Sequence, residues 1–123
     1  MGTYSFPKSE RIHKQIAIQE LFKRGSSFYL HPFKVLYLPL PESALCHQVM
    51  VSVSKRSFKK AVDRNLIKRR IREAYRLNRQ QLAGMSKYQI VYIYTAREVL
   101  DYQQIEDKII SSFRRLEAYG QKN

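Results

Sequence analysis

The sequence predicts an α+β fold, a two-layer sandwich with the order α-β-β-β-α-β-α. Three observations carry that prediction. Short stretches of alternating or β-branched residues recur at 26–29, 33–38, 47–53 and 88–94, the pattern of strands. Between the third and fourth of these, Lys55–Arg76 contains no Gly or Pro and keeps helical periodicity. Near the end, Ile105, Ile109, Phe113 and Leu116 recur at spacings of four, four and three, an amphipathic stripe suited to a sheet. Helices and strands in this order pack as a sheet with a helical layer.

Taken in order, residues 1–10 read as a loose arm, because Pro7 and its polar neighbours show no period. Ile12, Ile16, Leu21 and Phe22 then recur at near-helical spacing, and Gly25 follows Lys23 and Arg24 as a C-terminal cap. That predicts a first helix over Lys14–Arg24. Ser26–Tyr29 is a short strand, and Pro32 separates it from Phe33–Leu38. In the second strand Phe33, Val35 and Tyr37 share one face and Lys34, Leu36 and Leu38 the other. Pro39, Pro41, Glu42 and Ser43 make a turn. His47–Val53 is the third strand, with Val49, Val51 and Val53 opposite Met50, Ser52 and Ser54. Lys55 and Arg56 are expected to open the central helix, which runs to about Leu82 and stops at Ala83-Gly84. Tyr88–Tyr94 is apolar on both faces, as a central strand requires. Asp101 and Gln104 form a capping box for the last helix; Arg114 and Arg115 face outward, and residues 118–123 are expected to fray.

A chain of 123 residues makes one domain, with 44% hydrophobic residues to fill its core. Its net charge is +13 and its pI about 10.1, a balance suited to a polyanionic partner. No apolar run approaches the roughly 20 residues that span a bilayer, and the first residues lack a signal-peptide core. Cys46 is the one cysteine, which fits a reducing cytoplasm. His13, His31 and His47 are too widely spaced to suggest a metal centre. The acidic residues are scattered, with no nucleophile–base set and no Gly-rich phosphate loop, so no catalytic residue is assigned.

The charge concentrates on the central helix. At about 100° per residue, Arg64, Asn65, Lys68, Arg69, Arg72 and Arg76 fall within one arc of roughly 140°. Ile67, Ile71 and Ala74 lie on another side. A solvated charged face usually mixes signs; here five like charges repel one another along one strip, an arrangement that needs a polyanion.

Ala61-x-x-Arg64-Asn65-x-x-Lys68-Arg69-x-x-Arg72-Glu73 resembles the signature helix of the protein component of bacterial ribonuclease P. Val51-Ser52-Val53-Ser54-Lys55-Arg56 is similar to the strand and basic turn that precede it, and Arg11-Ile12…Phe22-x-x-Gly25 to the family's opening. The resemblance covers roughly Arg11 to Leu116. It implies a ribosomal protein S5 domain 2-like sandwich in which the strands flanking the basic helix are parallel and the β-α-β crossover is left-handed, against the usual rule. It implies an RNA-binding subunit of a ribonucleoprotein endoribonuclease, in which a catalytic RNA removes the 5′ leader of precursor tRNA by hydrolysis, using Mg²⁺ held mainly by RNA. By position, Arg64, Asn65, Lys68, Arg69 and Arg72 would contact the catalytic RNA, with Lys55 and Arg56 beside the leader; Arg76, on the same arc, is counted with the RNA-binding residues. A leader-binding cleft would take Phe22, Tyr37, Ser52 and Ile18, the last standing where some members carry an aromatic. As a strand aromatic, Tyr37 fits either a half-buried position or an RNA contact. Leu66 stands where the family commonly has Arg, which removes one possible contact.

Two other classes fit parts of the pattern. A ribosomal or other structural RNA-binding protein shares the size, charge and basic helix. A helix-turn-helix DNA binder fits less well, because no short turn joins the basic stretch to another helix.

Overall fold

The computed structural model describes residues 22–84 and 86–122. Strands β1 (Ser26–Leu30), β2 (Phe33–Pro39) and β3 (Gln48–Val53) precede helix α1 (Ala61–Asn78). A 3₁₀ turn (Arg79–Leu82), strand β4 (Tyr88–Tyr94) and helix α2 (Tyr102–Lys122) follow. The predicted first helix falls mostly outside the described residues; residues 22–24 of it are helical. Ile18 and the arm over 1–10 also lie outside them.

The sheet order is β1-β2-β4-β3. β1 and β4 each pair antiparallel with β2, whereas β3 and β4 are parallel neighbours. α1 is the crossover that a parallel pair demands. β4 is central as its composition implied, with all but Ile93 buried. The link from β1 to β2 contains the cis His31–Pro32 bond. Thr95 ties the exit of β4 to that link, donating from its backbone N–H and its hydroxyl to the Pro32 carbonyl at 2.7 and 3.0 Å.

Strand alternation decides which side chains enter the core. Phe33, Val35, Val49, Val53, Ile90 and Tyr92 meet Ile67, Ile71, Ala74 and Tyr75 of α1 and the predicted stripe Ile105, Ile109, Phe113 and Leu116 of α2. Full burial of an Ile or Leu side chain in such a core stabilises by roughly 1.5–3 kcal/mol. The Tyr92 hydroxyl reaches into this layer and is satisfied at 2.7 Å by Ser112 Oγ, which also donates to the Ile109 carbonyl. The reverse face has a smaller apolar cluster around buried Leu36 and Val91, with Leu38, Met50 and Ile93 packed against it.

The structure changes three boundaries. α1 starts at Ala61 rather than at Lys55. Phe58 is the cause: its ring is buried 5.9 Å from Tyr94, so the chain must dip into the core before it can coil. Residues 54–57 therefore form a turn closed by the Phe58 N–H on the Ser54 carbonyl at 3.1 Å. At the other end of α1, Asn78 Nδ2 donates to the Ala74 carbonyl at 2.8 Å, competing with the backbone ladder, and the next turn tightens to 3₁₀. Gly84 then adopts φ +85°, the left-handed conformation expected of its cap. The third change is at the C-terminus, where the expected fraying gives way to helix through Lys122. Tyr119 explains it, stacking on Tyr37 at 5.3 Å and leaning on Phe28 at 5.9 Å. The predicted capping box is present: Gln104 N–H donates to Asp101 Oδ1 at 2.9 Å, and Asp101 N–H to Gln104 Oε1 at 3.3 Å.

Candidate nucleic-acid interface

α1 divides into two faces, as its periodicity requires. Ile67, Ile71, Ala74 and Tyr75 are buried against the sheet and α2. Asn65, Arg69 and Arg72 are exposed, while Arg64, Lys68 and Arg76 are half-buried. Asn65, Arg69, Arg72, Glu73 and Arg76 line one surface depression. Guanidinium groups around a shallow basin, with a neutral amide at its edge, suit phosphate oxygens and the hydroxyls beside them.

The cations of the stretch are not equivalent. Arg69 and Arg72 stand exposed. Arg76 forms an ion pair with Glu73 one turn earlier, which offsets part of its charge. Arg70, on a different side of the helix, donates to the Leu100 carbonyl at 2.5 Å and so ties α1 to the segment leading into α2. Arg64 Nη1 donates to the carbonyls of Phe58 at 2.7 Å and Lys59 at 3.0 Å. Lys55 and Arg56 are exposed in the turn ahead of the helix, where the Arg56 N–H is held by Ser54 Oγ at 3.1 Å.

The residues assigned to one cleft do not share a surface. Tyr37 lies on the helix-packed face of the sheet, with Tyr119 stacked on it, Tyr88 edge-on at 5.9 Å and Phe28 tilted at 5.7 Å. Burial, then the neighbouring Tyr119 hydroxyl, push the Tyr37 phenol above its ordinary range. Ser52 points to the opposite face, because it pairs in register with Ile93, and Ile93 with Lys34. A residue-by-residue likeness along β2 is sensitive to a shift of one, and one residue reverses the face. Phe22 is exposed, and Ile18 is outside the described residues.

Register brings together a set that sequence reading alone did not assemble. Tyr29, Lys34, Ile93 and Ser52 are paired across all four strands, so they form one row on the reverse face. Tyr29 is 56% exposed, and its hydroxyl lies 3.1 Å from Thr95 Oγ1 and 3.3 Å from His31 Nδ1. The row therefore offers an accessible ring, an ammonium, an apolar spacer and a small hydroxyl. Ser52 leads along β3 to the turn that carries Lys55 and Arg56. The alternation of Lys34 against Tyr37 was visible in the sequence; the strand order that completes the row was not.

Other titratable groups serve the fold. His47 Nδ1 accepts the Tyr88 N–H at 3.0 Å. Burial, then the charge of Lys87, lower its pKa to about 4, opposed by the Leu82 carbonyl. Tyr102 is pushed up to about 12 by burial and by its hydrogen bond to Glu106 at 2.9 Å. Among the described residues, no group of three or more His, Cys, Asp or Glu side chains could hold a metal ion. No described helix is long and apolar enough to cross a membrane.

Comparison with known proteins places this geometry in a family. The family model described as Ribonuclease P matches residues 6–117. The ribonuclease P protein component of Porphyromonas gingivalis is 32% identical over 121 residues, covering 94% of this chain and 88% of that relative. That of Petrotoga mobilis is 32% identical over 124 residues, covering 96% and 100%. Among solved structures, the Staphylococcus aureus RNase P protein aligns with a TM-score of 0.75 at 25% identity, covering 89% of this chain and 97% of that one. The Thermotoga maritima protein aligns with a TM-score of 0.73 at 24% identity, covering 86% and 96%, which supports the fold.

Proposed function

This chain belongs to the ribonuclease P protein family, whose members assist the RNA of an endoribonuclease in tRNA 5′ processing, and from that premise we propose how its surface divides the work. The exposed face of α1 docks the catalytic RNA. The observation that carries this assignment is the depression in which Asn65, Arg69, Arg72 and Arg76 converge, directly opposite the buried Ile67–Ile71–Ala74 face. Arg69 and Arg72 neutralise phosphates, Asn65 bonds neutral groups of the RNA, and Lys68 adds charge at the margin.

The single-stranded leader of precursor tRNA runs over the reverse face of the sheet, along the row Tyr29–Lys34–Ile93–Ser52 toward Lys55 and Arg56. A ring for stacking beside cations that follow a backbone is the arrangement that binds single strands without reading sequence. Tyr37 is not part of this surface. Mg²⁺ stays on the RNA, where phosphate oxygens provide hard ligands. The protein lowers the Mg²⁺ requirement by supplying cationic charge where phosphates crowd. The single cysteine is compatible with a reducing cytoplasm as the working compartment.

Reconstitution tests this reading. Purified protein combined with in vitro transcribed ribonuclease P RNA should restore 5′ leader removal at a Mg²⁺ concentration where the RNA alone is slow. Arg69→Ala with Arg72→Ala should raise the Mg²⁺ needed for half-maximal cleavage. An unchanged Mg²⁺ dependence in a folded double variant would remove α1 from the docking role.

A further inference from the structure

We propose that Arg64 is a positioning residue for RNA binding: it holds the turn that presents Lys55 and Arg56 and does not itself neutralise a phosphate. The inference rests on the reading that the basic helix and turn bind RNA. Its position in the basic arc puts Arg64 among the contact residues, yet its chemistry in the fold is different. It is half-buried, and it does not line the depression formed by Asn65, Arg69, Arg72, Glu73 and Arg76. One of its terminal nitrogens is already committed to the carbonyls of Phe58 and Lys59 at 2.7 and 3.0 Å. Those carbonyls lie just before the first helical residue, where no strand ladder takes them up. A guanidinium donor makes both bonds charge-assisted and correspondingly strong.

The turn is fastened at three points. Ser54 closes it from the strand side, accepting the Arg56 N–H at its Oγ and the Phe58 N–H at its carbonyl, both at 3.1 Å. Phe58 anchors its middle in the core against Tyr94. Arg64 fastens the far end, reaching back from the first turn of α1. Lys55 and Arg56, both exposed, lie between the first two fastenings. Because Arg64 grips the Phe58 carbonyl, its loss also loosens the second fastening and lets the two cations wander, and binding must then order them at an entropic cost.

A double-mutant cycle separates positioning from contact. Affinity of the enzyme assembled with in vitro transcribed ribonuclease P RNA for precursor tRNA is measured across a salt series. Arg64→Ala is made in the parent chain and in a Lys55→Ala/Arg56→Ala background, with circular dichroism to confirm folding. Positioning predicts a loss of about tenfold in the parent and less than about twofold in the background, the non-additivity of residues acting as a unit. In the background, the slope of log K against log salt should not change. A phosphate contact by Arg64 predicts the opposite: equal losses in both settings, and a slope flatter by about 0.7–0.9 in the background. That result overturns the inference, as does an Arg64→Ala chain that binds like the parent. Ser54→Ala loosens the same turn without touching a charge and should show the same coupling; additive losses there count equally against it. Lys55→Ala/Arg56→Ala alone is the control. If it leaves precursor affinity unchanged, the leader path itself is misassigned and the inference falls with it.

Discussion

Substituting Tyr37 by alanine should cost folding stability and leave leader recognition alone. Its ring lies in a cluster with Tyr119 stacked at 5.3 Å, Phe28 at 5.7 Å and Tyr88 at 5.9 Å. Each such aromatic pair contributes about 0.5–1.5 kcal/mol beyond area burial. Complete truncation of a buried aromatic costs about 3–5 kcal/mol, and Tyr37 is half-buried, so a loss of about 2–3 kcal/mol is expected. With a urea m value of about 2 kcal/mol/M, the unfolding midpoint should fall by roughly 1–1.5 M. The assay is urea unfolding of the free protein, paired with binding of precursor and mature tRNA by the assembled enzyme where the variant remains folded. The ratio of the two affinities should stay near the parent value. Tyr29→Ala should do the reverse. It should shift the midpoint little and weaken precursor binding by about 1–3 kcal/mol, the worth of one stacked base, with mature tRNA unaffected. A Tyr37→Ala chain of parental stability that selectively loses precursor affinity would refute the face assignment.

Three further outcomes are expected. His47 has a folded pKa near 4, below its unfolded value of about 6.5, so its contribution is present above pH 6.5 and is lost as pH falls toward 4. That loss approaches about 3 kcal/mol, and His47→Asn, whose amide oxygen can still accept the Tyr88 N–H, should flatten this part of the stability-against-pH curve in urea melts. Asn65→Ala should weaken RNA binding through lost hydrogen bonds, by about 1–2 kcal/mol, and leave the salt slope unchanged; a flatter slope in its salt titration would show that its loss disturbs neighbouring cations. Free of RNA, the purified protein should not cleave precursor tRNA, since members of its family assist the RNA of the enzyme; robust cleavage after nuclease treatment to remove RNA would contradict this.

Much of the fold was legible because each element has its own period. Tyr88–Tyr94 is apolar on both faces and is a central strand; the stripe from Ile105 to Leu116 is buried as spaced. The opening of α1 was harder to read. Lys55 and Arg56 look helical beside Lys59 and Lys60, and what stops the helix is a tertiary event, the burial of Phe58 under Tyr94. The C-terminal turn is a similar case: residues 118–123 read as a fraying tail, but the stacking of Tyr119 on Tyr37 carries the helix onward. For the site, the arc of cations on α1 could be drawn from sequence because a helix face is a local property. The pairing of Arg76 with Glu73 has a readable spacing of three. The surface row Tyr29–Lys34–Ile93–Ser52 could not be drawn, since it requires residues from four strands and depends on strand order. Assigning Tyr37 and Ser52 to one cleft failed for another reason: a shift of one residue in the likeness along β2 reverses the face.

The central claim is that RNA docks on the exposed face of α1 and not over the whole +13 surface. A salt titration of ribonuclease P RNA binding by Arg69→Ala and Arg114→Ala tests it most directly. Arg69 lines the depression on α1, whereas Arg114 is exposed on α2. Docking on α1 predicts that Arg69→Ala flattens the slope of log K against log salt by about 0.7–0.9, the release associated with one phosphate contact, while Arg114→Ala leaves it at the parent value. Equal flattening by both variants would mean that attraction is spread over the surface and that α1 is not the docking site.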